Sequence, residues 1–433
     1  MQKCPNATLR LTLAAISAAS TLFFVNARAD TFSYNGYLRA GPATSTTSPN
    51  GGNARQCYDL PGVDAGHYRI GNECDFYGEF GFNDYGSASG IKYHNEVMIN
   101  EYSPGTDIGA SYAAFEQLYS SISGLDFAPD VKFWAGKRFY GRADIYVIDH
   151  KFVRMDGVGG GADNVSLGSG KLNIAYFGSD SYQGFGDAGT STSPQSGRRL
   201  NFDYHDIPIW ENGSLRITGT YTKSNQIGGT TGEALSLQQN EKFPSLNFSN
   251  VFWLQTARGS ASLAQNFGNG SSPTSASAWR VADGLNWKTG RFSGQAAFVY
   301  GHHGAGSNND TIAYSNGLVA YSNMSIGAGF SYAMTQNAAI IGQFGHMTKS
   351  PNGNPTESLN IATVGVSLSP NARQFYSRPV LRLYFTHASW NAAAANDPAN
   401  ANSYNGNNGL PGYGVAGAAT SGNTIGIQVE SWF

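Results

Sequence analysis

From about residue 30 to its end, the chain is built from short segments in which polar and apolar residues alternate, separated by Gly, Asn, Ser and Asp. Alternation with a period of two is typical of β-strands, because successive side chains point to opposite faces of a sheet. The last segment is the clearest example: Ile425, Ile427 and Val429 share one face, and Gln428 and Glu430 share the other. Roughly sixteen to eighteen such segments follow residue 30, which predicts an all-β chain of consecutive antiparallel strands.

The apolar face of these segments indicates what the strands enclose. Segment 75–82 places its phenylalanines on one face, and segment 376–386 places its leucines opposite Tyr376 and Arg378. A sheet this large must close to remove its edges, and a barrel of so many strands is too wide for side chains to fill. The apolar face is therefore predicted to contact lipid and the polar face to line a water-filled interior, as in barrels of the bacterial outer membrane.

The beginning of the chain supports export from the cytosol. Residues 1–29 combine a basic start, an apolar stretch from Leu11 to Val25 and the small-residue pattern Ala-Arg-Ala at 27–29, which predicts a cleaved signal peptide. No linker or shift in composition divides the remainder, so residues 30–433 are predicted to form a single barrel domain. Cleavage would leave a mildly acidic chain without a basic cluster, which argues against nucleic-acid binding.

Composition argues against an ordinary cytosolic enzyme and against a membrane protein that spans with helices. The 433 residues include 55 Gly and are 13% aromatic but only 13% charged, whereas soluble domains carry about 25% charged residues and about 7% Gly. After the signal segment, no apolar stretch reaches the roughly 18 residues that a spanning helix needs. A nucleophile, a base and an orienting group cannot be assembled on one interior patch, so we predict no catalytic residue, no cofactor and no resident metal.

Two cysteines remain after signal cleavage, Cys57 and Cys74. In a chain that leaves the reducing cytosol, a disulfide between them is the favoured interpretation, and the model of chain entropy gives such a loop roughly 3 kcal/mol of stabilisation. The alternative is a metal site, for which only His67 lies between the two cysteines. The bridge is predicted to clamp the first outer loop and to hold Arg69 near the pore mouth.

Aromatic residues are unexpectedly present on the polar face. Their positions, judged from the alternation, place each of them next to charged residues: Tyr37 near Arg39, Tyr77 between Asp75 and Glu79, Tyr376 before Arg378, and Trp432 after Glu430. One explanation is that they belong to the aromatic girdles at the two membrane interfaces. The other is a path for carbohydrate, because a sugar ring offers an apolar face for stacking and a rim of hydroxyls that needs donors and acceptors.

The sequence resembles the maltoporins and related sugar-specific porins of the bacterial outer membrane. The resemblance rests on these motifs: Gly-Tyr-Leu-Arg at 36–39, Gln-Cys-Tyr at 56–58, the stretch 68–79, Phe-Trp-Ala-Gly-Lys-Arg-Phe-Tyr at 133–140 with Arg142, Asp144 and Ile148-Asp149 after it, Ser-Arg-Pro-Val-Leu-Arg at 377–382, Trp390, and Val-Glu-Ser-Trp-Phe at 429–433.

The resemblance implies an antiparallel transmembrane barrel of 18 strands with an inward-folded constriction loop, assembled as a homotrimer. It also implies passive diffusion of sugars, such as maltose and maltodextrins, along a track of aromatic side chains. The positions that match this aromatic track are Tyr37, Tyr77, Tyr376 and Trp432. The positions that match the family's polar track are Arg39, Arg69, Glu79, Arg142, Asp144 and Asp149.

One departure bears on the choice of sugar. Maltoporins carry a Tyr two residues after the Ile-Asp pair, where this chain has Lys151. We place Lys151 in a constriction loop of about 30 residues after residue 139, which is long enough to suggest a functional role. Lys151 either lines the narrowest point or pairs with Asp149 or Asp156 at the base of the loop. A second candidate function for the whole protein is a general diffusion porin without sugar preference.

Overall fold

The computed structural model describes residues 29–46, 55–64, 67–103, 112–179, 197–224, 230–261, 263, 277–305, 319–397, 400 and 419–433. The predicted signal peptide 1–29 lies outside this part of the chain, except for Ala29, where the first strand begins.

The described residues are almost entirely strands. In chain order the strands are β1 (Ala29–Ala40), β2 (Ala43–Ser45), β3 (Phe76–Ala88), β4 (Ile91–Ser103), β5 (Tyr112–Ser123), β6 (Lys132–Arg138), β7 (Ala143–Ile145), β8 (His150–Val153), β9 (Gly157–Leu167), β10 (Gly170–Ser179), β11 (Gly197–Trp210), β12 (Gly213–Ser224), β13 (Thr231–Phe243), β14 (Phe248–Gly259), β15 (Ser277–Thr289), β16 (Phe292–His303), β17 (Tyr321–Ala333), β18 (Ala338–Pro351), β19 (Glu357–Leu368), β20 (Val380–Trp390) and β21 (Ser421–Trp432). In the part of the chain that the structure describes, the helical turns are two short 3₁₀ helices, Tyr146–Ile148 and Pro244–Leu246, and a one-turn helix α1, Ala392–Asn396.

The long strands form one closed antiparallel barrel. Each long strand pairs with the next long strand along the chain, and β1 pairs with both β3 and β21, so the sheet has no free edge there. Apart from the short β2, β7 and β8, eighteen strands make up the wall, which confirms the predicted 18-stranded barrel. None of the helices in the described residues has the length and apolar character to cross a membrane.

The two faces of the wall follow the predicted alternation. On β21, Ile425 and Ile427 are 51% and 53% exposed on the outside, whereas Gln428 and Glu430 are buried inside. The strand predicted over 376–386 is shorter than expected, because β20 begins at Val380 and the residues before it form a turn. Tyr376 and Arg378 therefore owe their position to this turn and not to strand alternation.

Two segments between strands fold into the barrel. We call residues 139–156 the constriction loop and residues 55–75, of which 55–64 and 67–75 are described, the inner loop. The constriction loop is shorter than predicted because its expected glycine-rich second part, from Gly157 onward, is the wall strand β9, paired with β6 and β10. Glycine has a low strand propensity, so this segment did not resemble a strand in sequence.

The constriction loop is held by a core inside the barrel. Ile145, Val147 and Phe152 of the loop are fully buried and belong to one apolar cluster with Trp253 and Ala282 of the wall. The rings of Phe152 and Trp253 stack with their centroids 4.7 Å apart. Wall residues that would otherwise face water thus form a dry interface with the loop, which fixes the loop in place.

The inner loop is held in the same way and by a disulfide. Tyr68 lies against Gly327 and Gly345 of the wall, where an added Cβ would come within 2.4 Å and 2.1 Å of its ring. Cys57 and Cys74 form the predicted disulfide, with their Cα atoms 5.7 Å apart, which confirms the pairing. The bridge closes residues 58–73 into a loop, and most of the described residues of this loop are buried inside the barrel.

Candidate functional site

The four aromatics matched to the track lie in one region of the interior. Tyr37 on β1 is paired in register with Trp432 on β21, and its ring centroid lies 6.1 Å from that of Tyr77 on β3. Tyr376 enters from the turn before β20. The link between them is Tyr146 of the constriction loop, whose ring lies 5.4 Å from Tyr376 and 6.1 Å from Trp432.

The sequence gives no indication that Tyr146 belongs to this group of rings. It lies on the 3₁₀ turn Tyr146–Ile148, where strand alternation gives no information about direction. Its hydroxyl donates to Oε2 of Glu430 at 2.5 Å, and the Arg69 guanidinium lies 4.3 Å from its ring centroid. Burial, reinforced by the charge of Glu430, raises the pKa of Tyr146, so the hydroxyl keeps its proton and remains a donor at neutral pH.

A buried network of arginines and carboxylates lies beside these rings. It contains Arg39, Arg69, Arg378 and Arg382 together with Glu73, Asp75, Asp149 and Glu430. The positive and negative groups are equal in number, so the network is neutral as a whole. Each charge is thereby compensated in a place where an isolated ion would be costly.

Glu430 is the centre of the network. Its carboxylate is fully buried, forms an ion pair with Arg69 at 3.1 Å and accepts hydrogen bonds from both Arg378 and Arg382 at 2.7 Å. It also accepts from the hydroxyl of Tyr37 at 3.2 Å, which ties the network to the aromatic residues. The sequence placed Glu430 on the inner face but gave no sign of its partners, because those come from four other segments of the chain: β1, the inner loop, the constriction loop and residues 378–382.

Arg39 and Arg69 both donate to Glu73, a carboxylate of the inner loop. Arg39 donates to Asp75 at 2.8 Å and to Glu73 at 2.8 Å, and Arg69 donates to Glu73 at 2.7 Å. Arg69 was expected near the pore mouth, and that prediction is wrong: its side chain is 7% exposed and lies between the inner loop and the constriction loop. The reason is that the whole inner loop folds inward.

Asp149 connects the network to the constriction loop. It lies 3.4 Å from Arg39, 3.7 Å from Arg69 and 3.9 Å from the imidazole of His67. Burial alone would raise its pKa, but Arg69, then Lys151 and Arg39, hold the pKa well below the usual range for an aspartate. His67, Glu73 and Asp149 could offer metal-ligand atoms within 4.8 Å of one another. Because two arginines already occupy both carboxylates, the site favours no cation.

The other matched polar residues form a second group. Glu79 accepts from the Tyr77 hydroxyl, and Arg142 donates to Asp156 at 2.9 Å and lies over the Phe139 ring. Asp144 faces Lys151 across the β7–β8 hairpin. The matched polar residues thus divide into the neutral network around Glu430 and a second group, with Arg142 and Asp144 on the constriction loop and Glu79 on β3.

Lys151 lies on the side of β8 that faces away from the wall. Its neighbours His150 and Phe152 are buried against the wall, so the alternation of β8 turns Lys151 to the opposite side. Within the described part of the chain, no carboxylate lies within 4 Å of its ammonium. Arg142 and Arg154 occupy Asp156, which argues against a pair between Lys151 and that carboxylate. Asp149 is the strongest of the charges that act on Lys151, so the alternative in which these two residues pair stays a prediction. Burial lowers the pKa of Lys151.

The sequence matches the LamB porin family over residues 32–433. The chain belongs to this family. Among its relatives, the maltoporins of two Vibrio cholerae serotype O1 strains, El Tor Inaba N16961 and Classical Ogawa 395, are each 26% identical over 452 residues. The matched part covers 97% of this chain and 98% and 97% of those maltoporins, respectively.

The crystal structure of Pseudomonas aeruginosa OccK2 (OpdF) has a similar fold, with a TM-score of 0.50 and 9% identity over 93% of this chain and 98% of that one. This LamB porin is therefore an outer-membrane channel, and it crosses the bacterial outer membrane with the strands of its barrel.

Proposed function

We propose that this LamB porin lets sugars diffuse passively across the outer membrane along the aromatic residues in its interior, and that it does so as a homotrimer without chemical turnover. The observation that carries this proposal is the row of rings Tyr77, Tyr37, Tyr146, Trp432 and Tyr376. Trp432 and Tyr376 are 39% and 38% exposed, so these two rings are accessible to a passing ligand, and the other three are half-buried.

The polar surroundings of the row suit the hydroxyls of a sugar. Arg69 contacts two of the rings, with its guanidinium carbon 5.9 Å from the Tyr37 centroid and 4.3 Å from that of Tyr146. Arg378 lies 4.1 Å from the Trp432 centroid. A saccharide stacked on the rings would find donors and acceptors at its edge, which is the arrangement that carbohydrate sites use. The maltoporin relatives support the same class of permeant.

The alternative is a general diffusion porin without sugar preference. Such a channel needs a water-filled lumen but no accessible row of aromatic rings beside the constriction. The girdle explanation does not account for these rings either, because a girdle faces lipid, whereas Trp432 contacts Tyr146 and Arg378 inside the barrel.

The test is sugar block of the ion current through the purified protein in planar bilayers, with maltose, maltotriose and maltohexaose as ligands. Trp432→Ala or Tyr77→Ala should weaken block by about 1 to 3 kcal/mol, the range for loss of an aromatic stacking partner of a flat ligand. The matched control is Trp279→Ala, which removes a lipid-facing ring that is 42% exposed on β15 and should leave block as it was.

Each outcome has a clear meaning. Ion conduction without block by any sugar would identify a general porin. Equal block in wild type, Trp432→Ala and Tyr77→Ala would refute the aromatic path, and hydrolysis of a permeant sugar would refute passive diffusion.

A further inference from the structure

Two cations lie side by side on neighbouring strands of the wall, Arg198 on β11 and Lys223 on β12. The two residues are directly paired in the antiparallel register, which brings their Cβ atoms to roughly 5 Å from each other. Both side chains are exposed. Like charges directly opposite each other destabilise a sheet, so this pair calls for a counter-charge.

The neighbouring residues show that the pair points out of the barrel. Arg199 is buried inside and donates to two backbone carbonyls of the constriction loop, at 2.6 Å and 2.8 Å. Thr222 on β12 is fully buried as well. Because successive side chains of a strand point to opposite faces, Arg198 and Lys223 lie on the face that contacts lipid.

The pair also lies at the extracellular end of the wall. Residues 180–196 separate β10 from β11 at this end, whereas only residues 211 and 212 separate β11 from β12 at the other end. In outer-membrane barrels the short turns are periplasmic and the longer loops are extracellular. Arg198 is the second residue of β11 and Lys223 the last but one of β12, which places both at the level of the outer headgroups.

The protein does not neutralise these two cations. In the part of the chain that the structure describes, neither Arg198 nor Lys223 forms an ion pair. The acid that the strand register brings near them is Glu233 on β13, whose partner Tyr221 lies two residues before Lys223. Glu233 is already occupied, because it accepts from Nε of Arg258 at 2.6 Å. The counter-charge must therefore come from outside these strands.

Apolar side chains lie next to the pair, toward the middle of the membrane. Leu200 follows Arg198 on the outward face and is paired in register with Tyr176 on one side and Tyr221 on the other. Both tyrosine rings are exposed to lipid. On β10 the partner of Arg198 is Gly178, so no side chain stands beside the guanidinium there. A fitting ligand has an anionic head for the cations and apolar chains for the rings.

We propose that Arg198 and Lys223 bind a phosphate group of a phosphorylated glycolipid in the outer leaflet, whose acyl chains lie along Tyr176, Leu200 and Tyr221. The face already contacts lipid, and the charge of a phosphate complements the two cations. The planar guanidinium of Arg198 suits two parallel hydrogen bonds to phosphate oxygens, and the ammonium of Lys223 adds a second positive charge. This site is separate from the sugar path.

The experiment is native mass spectrometry of the purified, delipidated porin in detergent, titrated with lipid A, a glycolipid that carries two phosphates. EDTA is present, so that divalent cations cannot bridge the phosphates. A basic side chain at a membrane surface contributes about fivefold in affinity for an anionic lipid, so Arg198→Gln with Lys223→Gln should weaken binding about twentyfold. Lipid A stripped of its phosphates should bind the wild type as weakly as lipid A binds this double variant.

A matched control removes two positive charges from the opposite end of the barrel. Lys288 and Arg291 are exposed next to the short turn between β15 and β16, and their replacement by Gln should keep the wild-type affinity for lipid A. Wild-type single-channel conductance verifies that both double variants are folded.

Three results would overturn the proposal. The first is equal affinity of the wild type and the Arg198→Gln, Lys223→Gln variant for lipid A, which would mean that the pair is neutralised in another way. The second is equal binding of lipid A with and without its phosphates, which would assign binding to the acyl chains alone. The third is displacement of lipid A by an equal concentration of inorganic phosphate, which would indicate a plain anion site.

Discussion

Glu430→Gln is the most informative single change, because it removes one charge and keeps the size and shape of the side chain. The carboxylate of Glu430 is fully buried and forms ion pairs with Arg69, Arg378 and Arg382. An amide can accept at one oxygen only, and its NH₂ group would face donors. The substitution therefore leaves buried arginines without a counter-charge.

The expected loss of stability follows from these contacts. Breaking a buried ion pair by removing one partner costs about 3 to 5 kcal/mol, because the remaining charge is left uncompensated. Here three guanidinium groups share the carboxylate, and Arg69 has a second partner in Glu73 at 2.7 Å. The free energy of unfolding should thus fall by about 3 kcal/mol, at the lower end of the range, since part of the charge remains paired.

The same change should alter conduction. The network is neutral in the wild type, so loss of one negative charge leaves it positive beside the aromatic row, and the reversal potential in a KCl gradient should shift toward anions. Stability is measured by urea unfolding in detergent micelles, followed by Trp fluorescence. The matched control is Glu357→Gln, another buried carboxylate, which lies 2.9 Å from Lys349 and away from the rings. It should lose stability but keep the reversal potential.

A fall in unfolding free energy below about 1 kcal/mol, together with an unchanged reversal potential in Glu430→Gln, would refute this reasoning. It would mean that the arginines find other partners or water when the carboxylate is lost. A loss of stability with unchanged ion selectivity would mean that the charge of the network does not act on ions passing through the channel.

Two other perturbations address the loops. Replacing both Cys57 and Cys74 by Ser should lower the unfolding free energy by roughly 3 kcal/mol, and peptide mapping without reductant should recover the linked pair from the wild type; two free thiols there would contradict the pairing. Gly345→Val would place a side chain inside the ring of Tyr68, where even a Cβ would come within 2.1 Å. It should displace the inner loop and change single-channel conductance, whereas an unaltered conductance would show that the loop adjusts.

The wall of the barrel could be predicted from sequence because it repeats one simple rule. In every strand the lipid side must be apolar and the lumen side can be polar, so alternation on β3, β20 and β21 is visible residue by residue. The rule fails where the inside is also packed. Trp253 and Ala282 are apolar, face inward and are buried under the constriction loop.

The inner loop and the constriction loop, which fold inside the barrel, could not be predicted by the same rule. Tyr146 and Arg69 lie on segments without strand alternation, and their partners come from strands far away in the chain, such as Glu430 on β21. The resemblance supplied Arg69 but not its surroundings. Its motif at 429–433 contained Glu430 without giving that residue a role, and it did not supply Tyr146. Long-range ion pairs leave no local pattern in sequence, because each residue needs only to be charged and not to have any particular neighbour.

The network around Glu430 and the exposed side of the constriction loop differ in how much of the fold depends on them. In the network each charge has a partner within 3.4 Å, so removal of one carboxylate leaves a buried arginine uncompensated. Selectivity can then be set by a few residues that do not support the fold. Lys151 is such a residue, because no ion pair within the described part of the chain depends on it. Its replacement should therefore change which solute passes at little cost in stability, in contrast to Glu430.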